Sequence, residues 1–185
     1  MYCPNCGCDT QSVVQFVSET YPVKGENITI EAEVRFCTCC KTDIWDEDLD
    51  NINLKKAFSE YRKNHDLLSP EEIRSIREKY SVSQTTFARI LGFGDKTITR
   101  YENGSLADAT HNNLIYLVRN PDAYADLLEK RKNILTEVEY AVAINAVNKL
   151  LKESVCANSI SYSISTRNTI RYSMNQSKWE VQDYA

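Results

Sequence analysis

The sequence predicts an α+β protein in which a small cysteine-rich β domain precedes an all-α region. Three observations carry that prediction. Six of the seven cysteines fall within the first forty residues, in "CPNCGC" and "FCTCC". Between them Ile28, Ile30, Ala32, Val34 and Phe36 alternate with Thr29, Glu31, Glu33 and Arg35, the period of a half-buried strand. From residue 69 onward the chain reads as a series of capped amphipathic helices.

Taken in order, "SVVQFVSETYPV" and "NITIEAEVRF" form a hairpin, and "DLDNINLKKAFSEYRKNHDLL" forms a helix with Ile52, Phe58 and Tyr61 among its apolar positions. Residues 65–69 serve as a linker. Ser69-Pro70-Glu71-Glu72 starts a helix with a cap side chain, a proline in the first turn and acids at the positive helix end. Asn120-Pro121-Asp122 starts another in the same way, and Thr136-Glu137-Val138-Glu139 is a capping box. On the helix it opens, Tyr140, Ile144, Val147 and Leu151 share one face. The tail is rich in serine, asparagine and threonine. Its "SISYSISTRNTIRYSM" fits a hairpin, with Ile160, Tyr162 and Ile164 facing Ile170, Tyr172 and Met174, and fits a disordered tail equally well. The expected organisation is a metal-binding domain with trailing helix at 1–66, a helical domain at 69–130, a helical extension at 131–153 and a polar tail at 154–185.

The chain of 185 residues is 42% hydrophobic and 26% charged with net charge −4, so it can bury a core and is no general polyanion binder. The charge is uneven. Residues 1–68 carry 7 basic and 12 acidic side chains, whereas residues 69–119 carry 7 and 6. No apolar run approaches the length of a membrane helix, and the first residues lack a signal-peptide pattern. A cytoplasmic location is expected, and in a reducing compartment clustered cysteines point to metal before disulfides.

A Cys-x-x-Cys turn places two sulfurs on one ion. Cys3-Pro4-Asn5-Cys6 has that form, with Gly7 supplying the positive φ of a tight turn, and Cys37-Thr38-Cys39-Cys40 has the same spacing. The expected ligands are Cys3, Cys6, Cys37 and Cys40, the metal is Zn2+, and the plan is zinc-ribbon-like. Cys8 or Cys39 could displace a neighbour, and iron could take the same four sulfurs. Four protein ligands leave no position for substrate, so the metal is structural. Its acidic surroundings repel phosphates.

The second motif is "SVSQTTFARILGFGDKTITRYENG", residues 81–104. Ser83 caps a helix with Phe87, Ala88 and Leu91 on its inner face, Gly92 ends it, and a second helix runs from about Asp95 to Glu102 with Ile98 and Tyr101 turned inward. That arrangement leaves Lys96, Thr97, Thr99 and Arg100 outside. In a helix-turn-helix such residues meet base edges in the major groove, where arginine bonds guanine bidentately. Gln84 is placed to touch a phosphate. A net charge near +1 is small for a DNA binder, and a dimer would double the contacts.

These residues resemble the Cro/lambda-repressor-type helix-turn-helix, with Gln84, Ala88, Gly92, Ile98, Arg100, Glu102 and Gly104 at that family's spacing and Gly94 where a capping serine or threonine is commoner. In that light Asp95 caps the second helix or the helix starts loosely. Together, "CPNC", "FCTCC", "LSPEEIRSIREKYSVSQ" and "TRYENG" resemble the MqsA-type antitoxins, also described as YgiT-type zinc-finger proteins, over roughly residues 1–130. The resemblance implies a type II toxin–antitoxin component. Its zinc domain would bind a toxin that cleaves mRNA, and its C-terminal domain would form a homodimer on operator DNA and repress the operon. It also implies the same four zinc ligands, and base contacts by Lys96 and Arg100. A stand-alone repressor of a phage or mobile element, or a scaffold that binds protein without DNA, are the alternatives.

His65 and His111 read as surface or capping residues, Trp45 as packing for the metal core, Cys156 as an incidental thiol, and Trp179 is unexplained. No phosphate-cradling glycine loop, acid pair in a recognisable setting or Ser-His-Asp set is present, so the sequence points away from an enzyme.

Overall fold

A computed structural model describes the chain through residue 168, with side chains described through residue 153. The front end is β. Strands β1 (Tyr2–Cys3) and β2 (Cys8–Asp9) form a small ladder, and β3 (Ser12–Val23), β4 (Glu26–Cys37) and β5 (Asp43–Ile44) form an antiparallel sheet in that order. The β3–β4 turn is Lys24-Gly25, with φ of 49° and 89°, the paired positive values that match the twist of a two-residue hairpin.

Helix α1 (Glu47–Asn64) follows, capped by Asp46, whose side chain accepts from the amides of Asp48 and Leu49. It buries Asn53, Ala57 and Tyr61, one face at four-residue spacing, against Val23 and Ile28 of the hairpin. Ile52, an expected apolar position, lies outside at 41% exposure, because the stripe that meets the sheet runs through Asn53 instead. β5 pairs only with Arg35 and Phe36, so the free β4 edge needs another partner. Asn53 supplies it: its amide accepts from the Glu33 N–H and donates to the Glu33 carbonyl, both at 2.9 Å. A side chain thus closes an edge that would otherwise expose a strand ladder.

The helical half comprises α2 (Pro70–Lys79), α3 (Gln84–Leu91), α4 (Thr97–Glu102), α5 (Ala109–Leu117), α6 (Pro121–Lys130) and α7 (Glu137–Asn168), with a 3-10 turn at Lys132–Ile134. The caps read from sequence are formed. Ser69 and Glu72 make a reciprocal capping box, Asn120 caps α6 with Pro121 at its start, and Thr136 and Glu139 exchange bonds at the head of α7. One core gathers these helices around Tyr80, Phe87, Ile98, Ile115, Val118, Tyr124 and Leu128, with Tyr80 and Tyr124 stacked at 3.7 Å. Ala143 and Val147 of α7 are fully enclosed in it, so α7 completes the helical core.

Residues 154–168 continue α7, so the first arm of the hairpin that the tail allowed is helical. Its second arm, from Ile170 to Met174, and Trp179 lie outside the described residues, as does the Cys156 side chain. The two halves meet where Leu67 and Leu106 pack on the hairpin–α1 cluster, where Arg62 donates to the Gly104 carbonyl and where Lys24 donates to the Ala107 carbonyl. Among the described residues, no helix is long and apolar enough to cross a membrane.

Candidate metal centre and nucleic-acid interface

The two knuckles come together by strand pairing: Cys3 ends β1, and Cys37 ends β4. The sulfurs of Cys3, Cys6, Cys37 and Cys40 all lie within 4.8 Å of one another. Cys3 and Cys40 are 3.6 Å apart and Cys6 and Cys37 are 3.9 Å apart. A tetrahedron with metal–sulfur bonds of about 2.3 Å has edges of about 3.8 Å, close to these two distances, so the four sulfurs could hold a metal ion. All four are free thiols, while Cys8 and Cys39 are exposed and outside the cluster. His65 and His111 do not join it either.

Both turns have one geometry. The Gly7 amide donates to the Cys3 carbonyl and the Lys41 amide to the Cys37 carbonyl, and both residues have positive φ, 70° and 62°. Lys41 therefore holds a left-handed conformation that glycine adopts freely in the first knuckle.

The hydrogen bonds divide the thiols. Asn5 and Thr42 pull the Cys40 thiol down to about 5, and the Thr10 hydroxyl, 3.2 Å from the Cys37 sulfur, lowers Cys37. Cys6, beside Cys40 and partly desolvated, is pushed up. Four thiols packed this closely cannot all ionise without a cation among them, and a soft dication in the centre resolves the conflict.

In the helical half, Ser83 caps α3, accepting from the Thr86 amide, and Gly92 ends it at φ 78°. Ala88 is fully buried where the next helix crosses. Helix α4 starts at Thr97 without a side-chain cap, because Lys96 holds the cap position and has no acceptor, while Asp95 pairs with Arg89 at 3.1 Å. Its inner face holds Ile98, Tyr101 and Glu102. Lys96 and Arg100 are exposed, and among the described residues neither side chain makes a hydrogen bond or ion pair. Four residues apart, they stand about 6 Å along the axis, close to two base-pair steps.

Two expected contacts sit elsewhere. Thr97 is only 7% exposed: it packs inside the first turn, where its amide donates to the Gly94 carbonyl at 2.9 Å. Gln84 donates to the Glu102 carboxylate at 2.8 Å and accepts from the Thr99 hydroxyl at 2.9 Å, so its amide braces α4 from within. Thr99 is half-buried in the same bond.

Compared with known proteins, residues 1–132 match the family described as the antitoxin component of a bacterial toxin–antitoxin system, MqsA. That span takes in the cysteine cluster and the α3–α4 pair together. The chain belongs to the MqsA antitoxin family. It is also similar to antitoxin HigA-2 of Vibrio cholerae serotype O1 (strain ATCC 39315 / El Tor Inaba N16961), 36% identical over 64 residues, which is 34% of this chain and 62% of that relative. Helix α7 lies beyond the MqsA match.

Several residues hold the helix pair and its surroundings through contacts with residues distant in sequence. Glu102 has a fully enclosed side chain and accepts from Arg77 Nε at 2.6 Å and Nη2 at 3.0 Å, from Gln84, and from Arg74 at 3.4 Å. Burial alone would raise its carboxyl. The bonds from Arg77, Gln84 and Arg74 outweigh that and hold it below the ordinary carboxylate range. Glu139 of α7 accepts from the Thr86 hydroxyl at 2.8 Å and so ties the extension to α3. His111 lies half-buried between Tyr101 and Asp108, with its ring 3.9 Å from Phe93. His65 caps α1, stacked on Tyr61 and bonded to Glu26.

Proposed function

We propose that this chain is a DNA-binding antitoxin: its zinc-held front end takes the toxin, and its helix pair reads the operator of the toxin–antitoxin pair, as a homodimer. One observation supports this above the rest. The α4 face carrying Lys96 and Arg100 is open, while Gln84, Thr99 and Glu102 lock the same helix from behind. Such rigidity with two free donors suits base reading, where phosphate contacts position and base contacts specify.

Zn2+ would be held by Cys3, Cys6, Cys37 and Cys40, filling its coordination with sulfur. It would cross-link β1 to β4 and supply folding energy to a domain with a small core. The chain's own residues then present a surface to the toxin and a helix to the groove, a regulatory role without catalysis.

The test is co-expression with the product of the adjacent gene. The expected result is rescue of growth, co-purification, and about one zinc per chain in the complex. An adjacent product that is harmless and does not associate overturns the antitoxin reading.

A further inference from the structure

The three-stranded sheet leaves an apolar face uncovered at the metal end. Its register sets Val13 beside Phe36, Gln15 beside Val34 and Val17 beside Ala32, so these side chains share one face. Ile44, paired with Arg35, turns to the other face and is buried with Cys3 and Cys37. Trp45 directly follows β5, and continuing the strand's alternation by one residue puts it on the Val34 side.

The far end of this face is covered: Tyr21, Ile28 and Ile30 pack with Ala57, Tyr61 and Leu106. The near end is not. Trp45 is 71% exposed and Val13 42%, and Val17, Val34 and Phe36 are half-buried. None of these five belongs to any of the hydrophobic clusters of the described residues. From sequence, Trp45 reads as packing for the metal core. Ile44 takes that place, one residue earlier, and sends the indole outward.

The rim of the face carries charge of one sign. Residues 38–54 hold five carboxylates against Lys41 alone. Asp43, Glu47, Asp48 and Asp50 are exposed and form no salt bridge among the described residues, while Asp46 is spent on Arg35. An exposed tryptophan on an apolar floor, ringed by polar groups, has the anatomy of an interface hot spot. The ring here is acidic, so it favours a partner that carries cations. A protein that must itself hold a polyanion is such a partner.

We propose that the basic toxin docks on this face, with Trp45 as the central anchor and Asp43, Glu47 and Asp48 as the steering rim. This rests on the antitoxin reading and assigns its partner surface to the sheet face, away from the metal knuckles.

The test uses the full chain, wild type and three variants, titrated with the purified product of the adjacent gene. Trp45→Glu is expected to weaken the complex at least 30-fold, as truncated hot spots do. Its metal content and operator affinity should match wild type, because the indole is already in water. The double variant Asp43→Lys/Asp48→Lys is expected to slow association and flatten its salt dependence. Val142→Glu, an exposed aliphatic position on α7, should leave affinity within threefold of wild type. If Trp45→Glu, with its metal retained, binds within threefold of wild type, the docking face is wrong while the antitoxin reading stands. If wild type itself does not bind the adjacent product, the antitoxin reading falls and takes this face with it.

Discussion

Replacing Glu102 with glutamine removes a buried charge that α2, α3 and α4 share. Its side chain is 0% exposed, Arg77 beside it is 13% exposed, and Arg74 is 52% exposed. The Arg74 contact is long and half in water, so it contributes little. The Arg77 pair is short, two-pronged and enclosed, and breaking such a pair costs about 3–5 kcal/mol because the partner charge is left stranded. At roughly 2–4 °C per kcal/mol for a chain of this size, the melting temperature should fall by on the order of 10 °C. The pH dependence has a definite sign. The Glu102 carboxyl is held below its ordinary 4.5, so the unfolded chain binds the proton more readily. Its stabilisation is complete above that value and is lost as pH falls through the folded-state value. Denaturant titrations of wild type and Glu102→Gln between neutral pH and pH 3 should therefore converge on acidification. A loss below about 1 kcal/mol at neutral pH, or two curves that stay parallel into acid, would refute this account of the helix pair.

Two further substitutions follow from the same geometry. Lys41→Gly in the second knuckle relieves a left-handed backbone that costs a side chain about 1–2 kcal/mol, partly offset by glycine's extra unfolded-state freedom. A net gain of about 0.5–1 kcal/mol is expected in calorimetry of the metal-loaded chain, and a loss would contradict the matching-knuckle geometry. Val147→Ala on α7 deletes buried methyls at 1% exposure and should cost about 2 kcal/mol, transfer and cavity together. A surface-like change of less than 0.5 kcal/mol would mean that α7 is an appendage and not part of the core.

What the sequence made legible was periodic or local. Strand alternation from Ile28 to Phe36, the caps at Ser69, Ser83, Asn120 and Thr136, and the spacing of the cysteines each depend on near neighbours, so each could be read directly. The rest depends on contacts distant in sequence. Asn53 looks like a solvated polar residue until the short β5 leaves Glu33 unpaired. Gln84 looks like a phosphate contact until Glu102 and Thr99 claim both ends of its amide. Thr97 sits where helix periodicity predicts the outside, but α4 starts late and uncapped, and its first turn tucks inward. Trp45 looks like core because it follows a knuckle, yet the β5 pairing decides which of two adjacent residues faces the cysteine cluster. For α7, periodicity showed the apolar face but not what it would cover, and its first enclosed residue, Ala143, is too small to stand out.

The division of the molecule into a metal-held partner end and a DNA-reading end is tested most directly by duplex binding. Fluorescence anisotropy of the sequence upstream of the gene pair, titrated with wild type and Arg100→Ala over a salt series, gives the result in one experiment. The expectation is tight binding at low salt that weakens steeply as salt rises, with Arg100→Ala losing about 1–3 kcal/mol of affinity. Folded, metal-loaded protein that leaves the duplex unbound at low salt, or an Arg100→Ala variant indistinguishable from wild type, would contradict the assignment of α4 to the groove.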